Sequence, residues 1–134
     1  MRDYAVRTPQ NDAEPPGSFS VGAGVRLNYR VMDKTDGAEE TGLDVSGSRW
    51  QLMLRGFAPG ATELVFDEEL DKSLDDAADG YFDHYFYCGD TAYPAMRWRF
   101  VLVDRDNPQA GTKSTKREYV LLEWNAAIEA APVA

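Results

Sequence analysis

The sequence is poor in the residues that hold metals and form covalent bridges. Its single cysteine, Cys88, excludes an intramolecular disulfide. Its single histidine, His84, excludes any site that needs two, which removes most structural zinc centres and the two-histidine catalytic motifs. Basic residues are scarce as well: 14 Lys and Arg stand against 23 Asp and Glu, for a net charge of −9. That sign opposes affinity for phosphate backbones and anionic lipid, so neither nucleic acid nor a membrane surface is an expected partner. No run approaches the roughly 18 apolar residues of a membrane helix. The opening MRDYAVRTPQNDAEPPGS lacks the apolar stretch of an export signal, and no Asn-x-Ser/Thr acceptor occurs. The expectation is synthesis in a cytoplasm, whose reducing conditions suit a lone cysteine.

What is present suffices for one domain. The 134 residues are 43% hydrophobic and 28% charged, ordinary globular usage. Residues 1–18 are polar and carry Pro9, Pro15, Pro16 and Gly17, which break helices and ladders alike. They read as an extended N-terminal arm, either loose or ordered against a neighbouring subunit. A β-domain is expected over 19–126 and a tail without core signature over 127–134.

Within the domain the dominant period is two. Val25, Leu27, Tyr29 and Val31 alternate with Arg26, Asn28 and Arg30, which predicts a half-buried strand closed by the turn residues Asp33 to Gly37. Trp50, Leu52 and Leu54 form a second such face, and Leu64 and Phe66 start a short third run. Phe82 and Phe86 oppose Tyr81, Tyr85 and Tyr87. Trp98, Phe100 and Leu102 oppose Arg97, Arg99 and Val101, and Glu118 to Trp124 completes a hairpin after the loop from Asp104 to Ser114. In residues 67–80, Leu70 and Leu74 at i, i+4 with Ala77 and Ala78 fit a short helix or an irregular loop equally well. Short strands separated by turns, with little helix, argue an all-β antiparallel sandwich.

Few residues suggest catalysis or metal binding. His84, with Asp83 or Asp90 to orient it, is the one acid/base candidate, but no nucleophile has a motif that places it beside a base. A histidine in an aromatic strand reads instead as a packing or surface residue. Acidic surroundings disfavour a reactive thiolate at Cys88, which reads as a small buried hydrophobe. The acidic run 67–79 invites calcium. A calcium-loop register started at Asp75 puts Gly80 at its sixth position, but Ala77 and Phe86 then stand where ligands belong. No metal and no cofactor is assigned; a solvated acidic face is the simpler account.

Charge is distributed unevenly along the chain. Residues 63–90 hold ten acids against Lys72 alone, whereas 91–118 hold Arg97, Arg99, Arg105, Lys113, Lys116 and Arg117 against Asp104, Asp106 and Glu118. If the two regions lie on different sides, one copy's basic patch meets the next copy's acidic patch in a ring-closing contact. Candidate contact residues are therefore Arg97, Arg99 and Arg117 on the basic side, Asp71, Asp75 and Asp76 on the acidic side, and the aromatics Tyr85, Tyr87 and Tyr93, since interfaces favour tyrosine.

Several segments together resemble a known family. Gly24 to Val31, the turn at Asp33 to Gly37, Asp44-Val45-Ser46-Gly47 and Trp50 to Arg55 are similar to the opening of bacteriophage structural domains of the kind found at the N-terminus of the baseplate upper protein. Tyr81 to Tyr87, Asp90-Thr91, Trp98 to Asp104, Gly111 and Tyr119 to Trp124 continue the resemblance, which covers roughly residues 20–126. The acidic segment 67–80 and Pro94-Ala95 depart from the family pattern. The resemblance implies a single Ig-like sandwich without catalytic residues. It would be a virion structural protein of tail, baseplate or fibre attachment, made in the host cytoplasm, multi-copy or homo-oligomeric, and in contact with other virion proteins. A head decoration protein or capsid fibre base is the nearest alternative. A carbohydrate- or ligand-binding sandwich, assisted by calcium, is the alternative of a different class.

Overall fold

The computed structural model describes residues 2–10, 12–37, 39–89, 93–106 and 117–129. Strands make up 57% of it, and among the described residues no helix reaches seven residues, so the fold class is all-β, built from two sheets. In chain order the strands are β1 (Tyr4–Arg7), β2 (Ser18–Ser20), β3 (Gly24–Asp33), β4 (Thr41–Gly42), β5 (Trp50–Phe57), β6 (Leu64–Glu69), β7 (Tyr81–Tyr87), β8 (Ala95–Asp104) and β9 (Arg117–Glu129).

The larger sheet has the order β2-β9-β8-β5-β6. Its pairings are antiparallel except that of β2 with β9, which is parallel. The smaller sheet is organised around β3. Met32 pairs with Ala5 on one side and Gly42 on the other, and Arg30 pairs with Arg7 and with Tyr81. Thus β1 runs along one edge of β3, while β7 and β4 follow each other along the opposite edge. On the outer side of β7, the Asp83 N–H donates to the Asp71 carbonyl and the Ser73 N–H to the Tyr81 carbonyl, both at 3.0 Å.

The alternation expected from the sequence is observed except in the second half of β8, where Val101, expected to face outward, is buried together with its neighbours from Phe100 to Asp104 past a register shift at Phe100/Val101. Leu27, Tyr29 and Val31 of β3, Leu52 and Leu54 of β5, Phe82 and Phe86 of β7, and Trp98, Phe100 and Leu102 of β8 are all buried in one core between the sheets. Aromatic rings close the gap between the layers. Trp98 meets Phe86 at 5.7 Å and Phe19 at 4.5 Å, and Tyr29 meets Phe100 at 4.8 Å. Such pairs contribute roughly 0.5–1.5 kcal/mol each beyond the area they bury. Burial, and after it the negative charge of Glu14, pushes the Tyr29 phenol up to about 12, and the hydroxyl donates to the Glu14 carbonyl at 3.1 Å.

Three segments depart from expectation. Residues 2–10 and 12–18 do not stand off as an arm; they lie on their own domain. Tyr4, Ala5 and Val6 are buried in β1, the Trp124 indole N–H donates to the Pro16 carbonyl at 2.9 Å, and Phe19 fills the core. Three buried apolar residues, Tyr4 to Val6, pairing with Arg7 in register with β3 outweigh the prolines that follow them. The expected tail is strand as far as Glu129, because β2 and β8 give residues 127–129 partners; residues 130–134 lie outside the described residues. The acidic segment takes neither of the two expected forms throughout. It continues β6 to Glu69, runs beside β7 at residues 71–73, and makes one 3-10 turn at Ala77–Asp79. Gly80 ends that turn at φ 96, where a Cβ would lie 2.4 Å from the Val31 carbonyl, so only glycine fits.

Candidate functional site

The outward residues of β3 and β7 form a flat surface. Their register places Gly24 beside Tyr87, Arg26 beside Tyr85, Asn28 beside Asp83 and Arg30 beside Tyr81, all on the face away from the core. Strand pairing fixes this row, because each of these residues alternates with one locked in the core. Arg26 donates through Nε and Nη2 to both oxygens of Asp83, at 2.9 and 2.8 Å. That fork is first among the causes that hold the Asp83 carboxyl below its ordinary range. Arg30 lies over the Tyr81 ring at 5.1 Å and donates to the Asp79 carbonyl at 2.8 Å.

Tyr85 and Tyr87 are 58% and 64% exposed, two large rings side by side on a rigid strand. Tyr87 leans across Gly24, where a Cβ would lie 2.9 Å from its ring, so the absence of a side chain at residue 24 gives the tyrosine its platform. At the edge of this surface the loop after Asp71 carries Leu74, which is fully exposed. A shallow hollow lined by Asp71, Lys72, Ser73, Leu74, Asp75 and Asp83 joins that loop to the sheet face.

The other contact candidates are differently placed. Tyr93 is half-buried against the core instead of facing outward. Arg97 and Arg99 stand on the outer face of the larger sheet and are engaged within the chain. Glu123 accepts Arg99 Nε at 2.5 Å and lies 3.8 Å from Arg97 Nε, and both guanidinium groups lie over Phe57. Arg117 is exposed, over the Tyr119 ring at 5.2 Å. Asp75 and Asp76 are exposed on the acidic loop, and Asp71 faces His84. The opposed patches of the head-to-tail arrangement thus lose Arg97 and Arg99 to internal pairs. Lys113, Lys116 and Asp90 lie outside the described residues.

His84 holds a position that its sequence context conceals. It shares the parity of Phe82 and Phe86, so its ring points into the rim between the sheets, where its side chain is 11% exposed. Nε2 meets Glu68 of β6 at 2.6 Å. Nδ1 lies 3.1 Å from the Asp71 carboxylate and 3.2 Å from the Asp71 backbone N–H. Nε2 faces the Glu68 carboxylate, and Nδ1 meets the Asp71 N–H as an acceptor or the Asp71 carboxylate as a donor, according to the tautomer. The orienting carboxylates are therefore Glu68 and Asp71; Asp83 is held by Arg26. The arrangement ties β6 to β7 across the open side of the molecule. Among the described residues no group of three or more His, Cys, Asp or Glu is placed to hold a metal ion.

Cys88 is buried, and burial raises its thiol above the ordinary range, away from thiolate reactivity. The residues that sequence reasoning missed are Arg26, Gly24 and Leu74. Arg26 and Gly24 were legible as the outward half of the β3 alternation. Leu74 carried no signal, since its spacing from Leu70 suggested burial.

Comparison with known protein families, curated proteins and solved structures gives no significant match for this chain.

Proposed function

We propose that this chain is a non-enzymatic structural subunit of a bacteriophage particle, an Ig-like sandwich of tail or baseplate that docks a partner protein on the outer face of its smaller sheet. The observation that carries the docking role is the exposure of Tyr85 and Tyr87, adjacent on one strand and in register with Gly24 and Arg26. Tyrosine and arginine on a rigid, flat element are the residues that dominate protein interfaces, because they offer large area at little entropic cost.

Strand order supports the Ig-like reading. β1, β3, residues 71–73 and β7 stand where such a fold has strands A, B, D and E, and β5, β6, β8 and β9 stand where it has C, C′, F and G. The virion setting is supported by the resemblance of Gly24 to Val31, Asp44 to Gly47 and Trp50 to Arg55 to phage structural domains. Gradient-purified particles from cells that make the chain provide the test. The expected result is the chain at fixed stoichiometry in the particle fraction, with the folded double variant Tyr85→Ala/Tyr87→Ala lost from it. A wild-type chain found only in the light soluble fraction would overturn the reading.

A further inference from the structure

The docking role leaves the chemistry of the partner open, and the distribution of free charge around the face specifies it. Four cations near this face are engaged internally. Arg26 is forked on Asp83, Arg7 meets Glu40 at 2.9 Å, Arg30 is held by the Asp79 carbonyl and the Tyr81 ring, and Lys72 donates to the Gly47 carbonyl. The acids are not matched in the same way. Among the described residues, Asp75, Asp76 and Asp79 are exposed and pair with no cation. Beside these acids, level with the start of β7, stands Leu74, whose side chain is entirely in water and adds nothing to the core. An aliphatic residue held at a loop tip, beside a hollow that opens onto Asp83, is apolar surface awaiting a cover.

Resting on the docking reading, we propose that the occupant of this face is a cationic segment of a partner protein. Its lysine or arginine side chains lie against Asp75, Asp76 and Asp79, and its apolar side chains cover Leu74, Tyr85 and Tyr87. Charge complementarity selects this partner over an acidic one, because an acidic segment would meet only carboxylates and phenols on a face whose guanidinium groups are already held. The apolar and aromatic residues give the contact its position, and the acids give it its sign and its speed of association.

Amide-resolved NMR on the full chain tests this. The probe is a short peptide of alternating lysine and leucine, and the control is its glutamate-leucine counterpart. The expected result is saturable shifts confined to residues 74–79 and 85–87 with the lysine peptide alone. Added salt should weaken the binding, as should Tyr85→Ala/Tyr87→Ala or Asp75→Asn/Asp76→Asn/Asp79→Asn, each variant by about tenfold. All the substituted side chains are exposed, and a denaturation midpoint verifies that each variant is folded. Shifts spread over the whole surface, equal binding of the glutamate peptide, or indifference to the tyrosine variant would overturn the proposal. So would concentration-dependent dimerisation of the chain alone that is lost in the tyrosine variant, since that assigns the face to a second copy. Particle incorporation separates the two readings. If the asparagine variant assembles like wild type while the tyrosine variant does not, the cationic partner falls and docking stands. If both variants assemble like wild type, both readings fall.

Discussion

On the outer face of the larger sheet, Arg55 reaches Asp67 at 3.1 Å and both oxygens of Glu118 at 3.0 Å, and Arg97 and Arg99 converge on Glu123. On the outer face of the smaller sheet, the pair Arg26–Asp83 is open to solvent and is followed by two bare tyrosines. Both faces come from the same alternation along the strands. Five strands side by side give the larger sheet enough neighbours to match each arginine with an acid across a strand. At the Tyr85 and Tyr87 end of the smaller sheet only β3 and β7 are paired, and the outward tyrosines there stay exposed. Charge in the larger sheet belongs to stability; the smaller sheet leaves its aromatics free.

The largest effect expected from a test of that division is in the backbone of the smaller sheet. If this sheet depends on close backbone contact more than on charge, Gly80→Ala, with its Cβ 2.4 Å from the Val31 carbonyl at a left-handed φ, should lose about 3 kcal/mol or more in urea denaturation. A loss below about 1 kcal/mol would mean that the joint between the acidic segment and β7 is slack.

Next in size is the ion pair at the end of the larger sheet. Asp104 is fully buried, and Arg49 donates to both its oxygens at 2.9 Å. Burial alone would raise the Asp104 carboxyl, but the Arg49 fork and the Asp106 N–H outweigh it and hold the carboxyl below its ordinary value. Arg49→Ala strands that carboxylate and should cost about 2 kcal/mol at neutral pH. A depressed carboxyl stabilises the fold above its unfolded value and loses that contribution as pH falls through the folded one. The gap between wild type and Arg49→Ala should therefore be full at neutral pH and close below about pH 4. A gap that stays constant down to strongly acid conditions would show that the arginine acts by packing on Trp50 instead.

How much of this was legible in the sequence differs between faces in the same way. The inward residues were readable, since Trp50, Leu52, Leu54, Trp98, Phe100 and Leu102 are large and strictly alternate. The internal use of Arg97 and Arg99 was not, because their pairing with Glu123 requires the register of β8 on β9, which shifts at Phe100/Val101. Leu70 and Leu74 are a sharper case. The first is 2% exposed and the second is fully in solvent, although a helical reading gives them one face. Leu70 ends inside the core as its N–H donates to the Leu52 carbonyl, after which the chain leaves one sheet for the other, a crossing no local pattern announces. His84 was readable by parity with Phe82 and Phe86, but its partners Glu68 and Asp71 come from another segment. β1 was hidden because Tyr4, Ala5 and Val6 are buried consecutively, without the alternation that marks a strand.

A smaller effect belongs to Arg55, which bridges three strands of the larger sheet at 20% side-chain exposure. Arg55→Ala should cost about 1 kcal/mol, more than an isolated surface pair because two acids and the arginine stem are involved. High salt should narrow the difference, and a cost that salt leaves unchanged would assign the effect to packing of the stem.

The smallest stability effects should come from the face of the smaller sheet, and there the two sheets separate most clearly. Arg26→Ala should leave the denaturation midpoint unchanged within error, since its pair with Asp83 lies on the surface, with side chains 54% and 37% exposed. Tyr85→Ala/Tyr87→Ala should cost less than about 1 kcal/mol, as rings this exposed bury little area. If the face is for docking, the tyrosine variant nonetheless loses its partner while remaining folded, a dissociation between stability and binding that no substitution on the larger sheet should produce. A tyrosine variant that unfolds instead would make Tyr87 over Gly24 a structural brace, and the comparison between the sheets would then reduce to one of strand number.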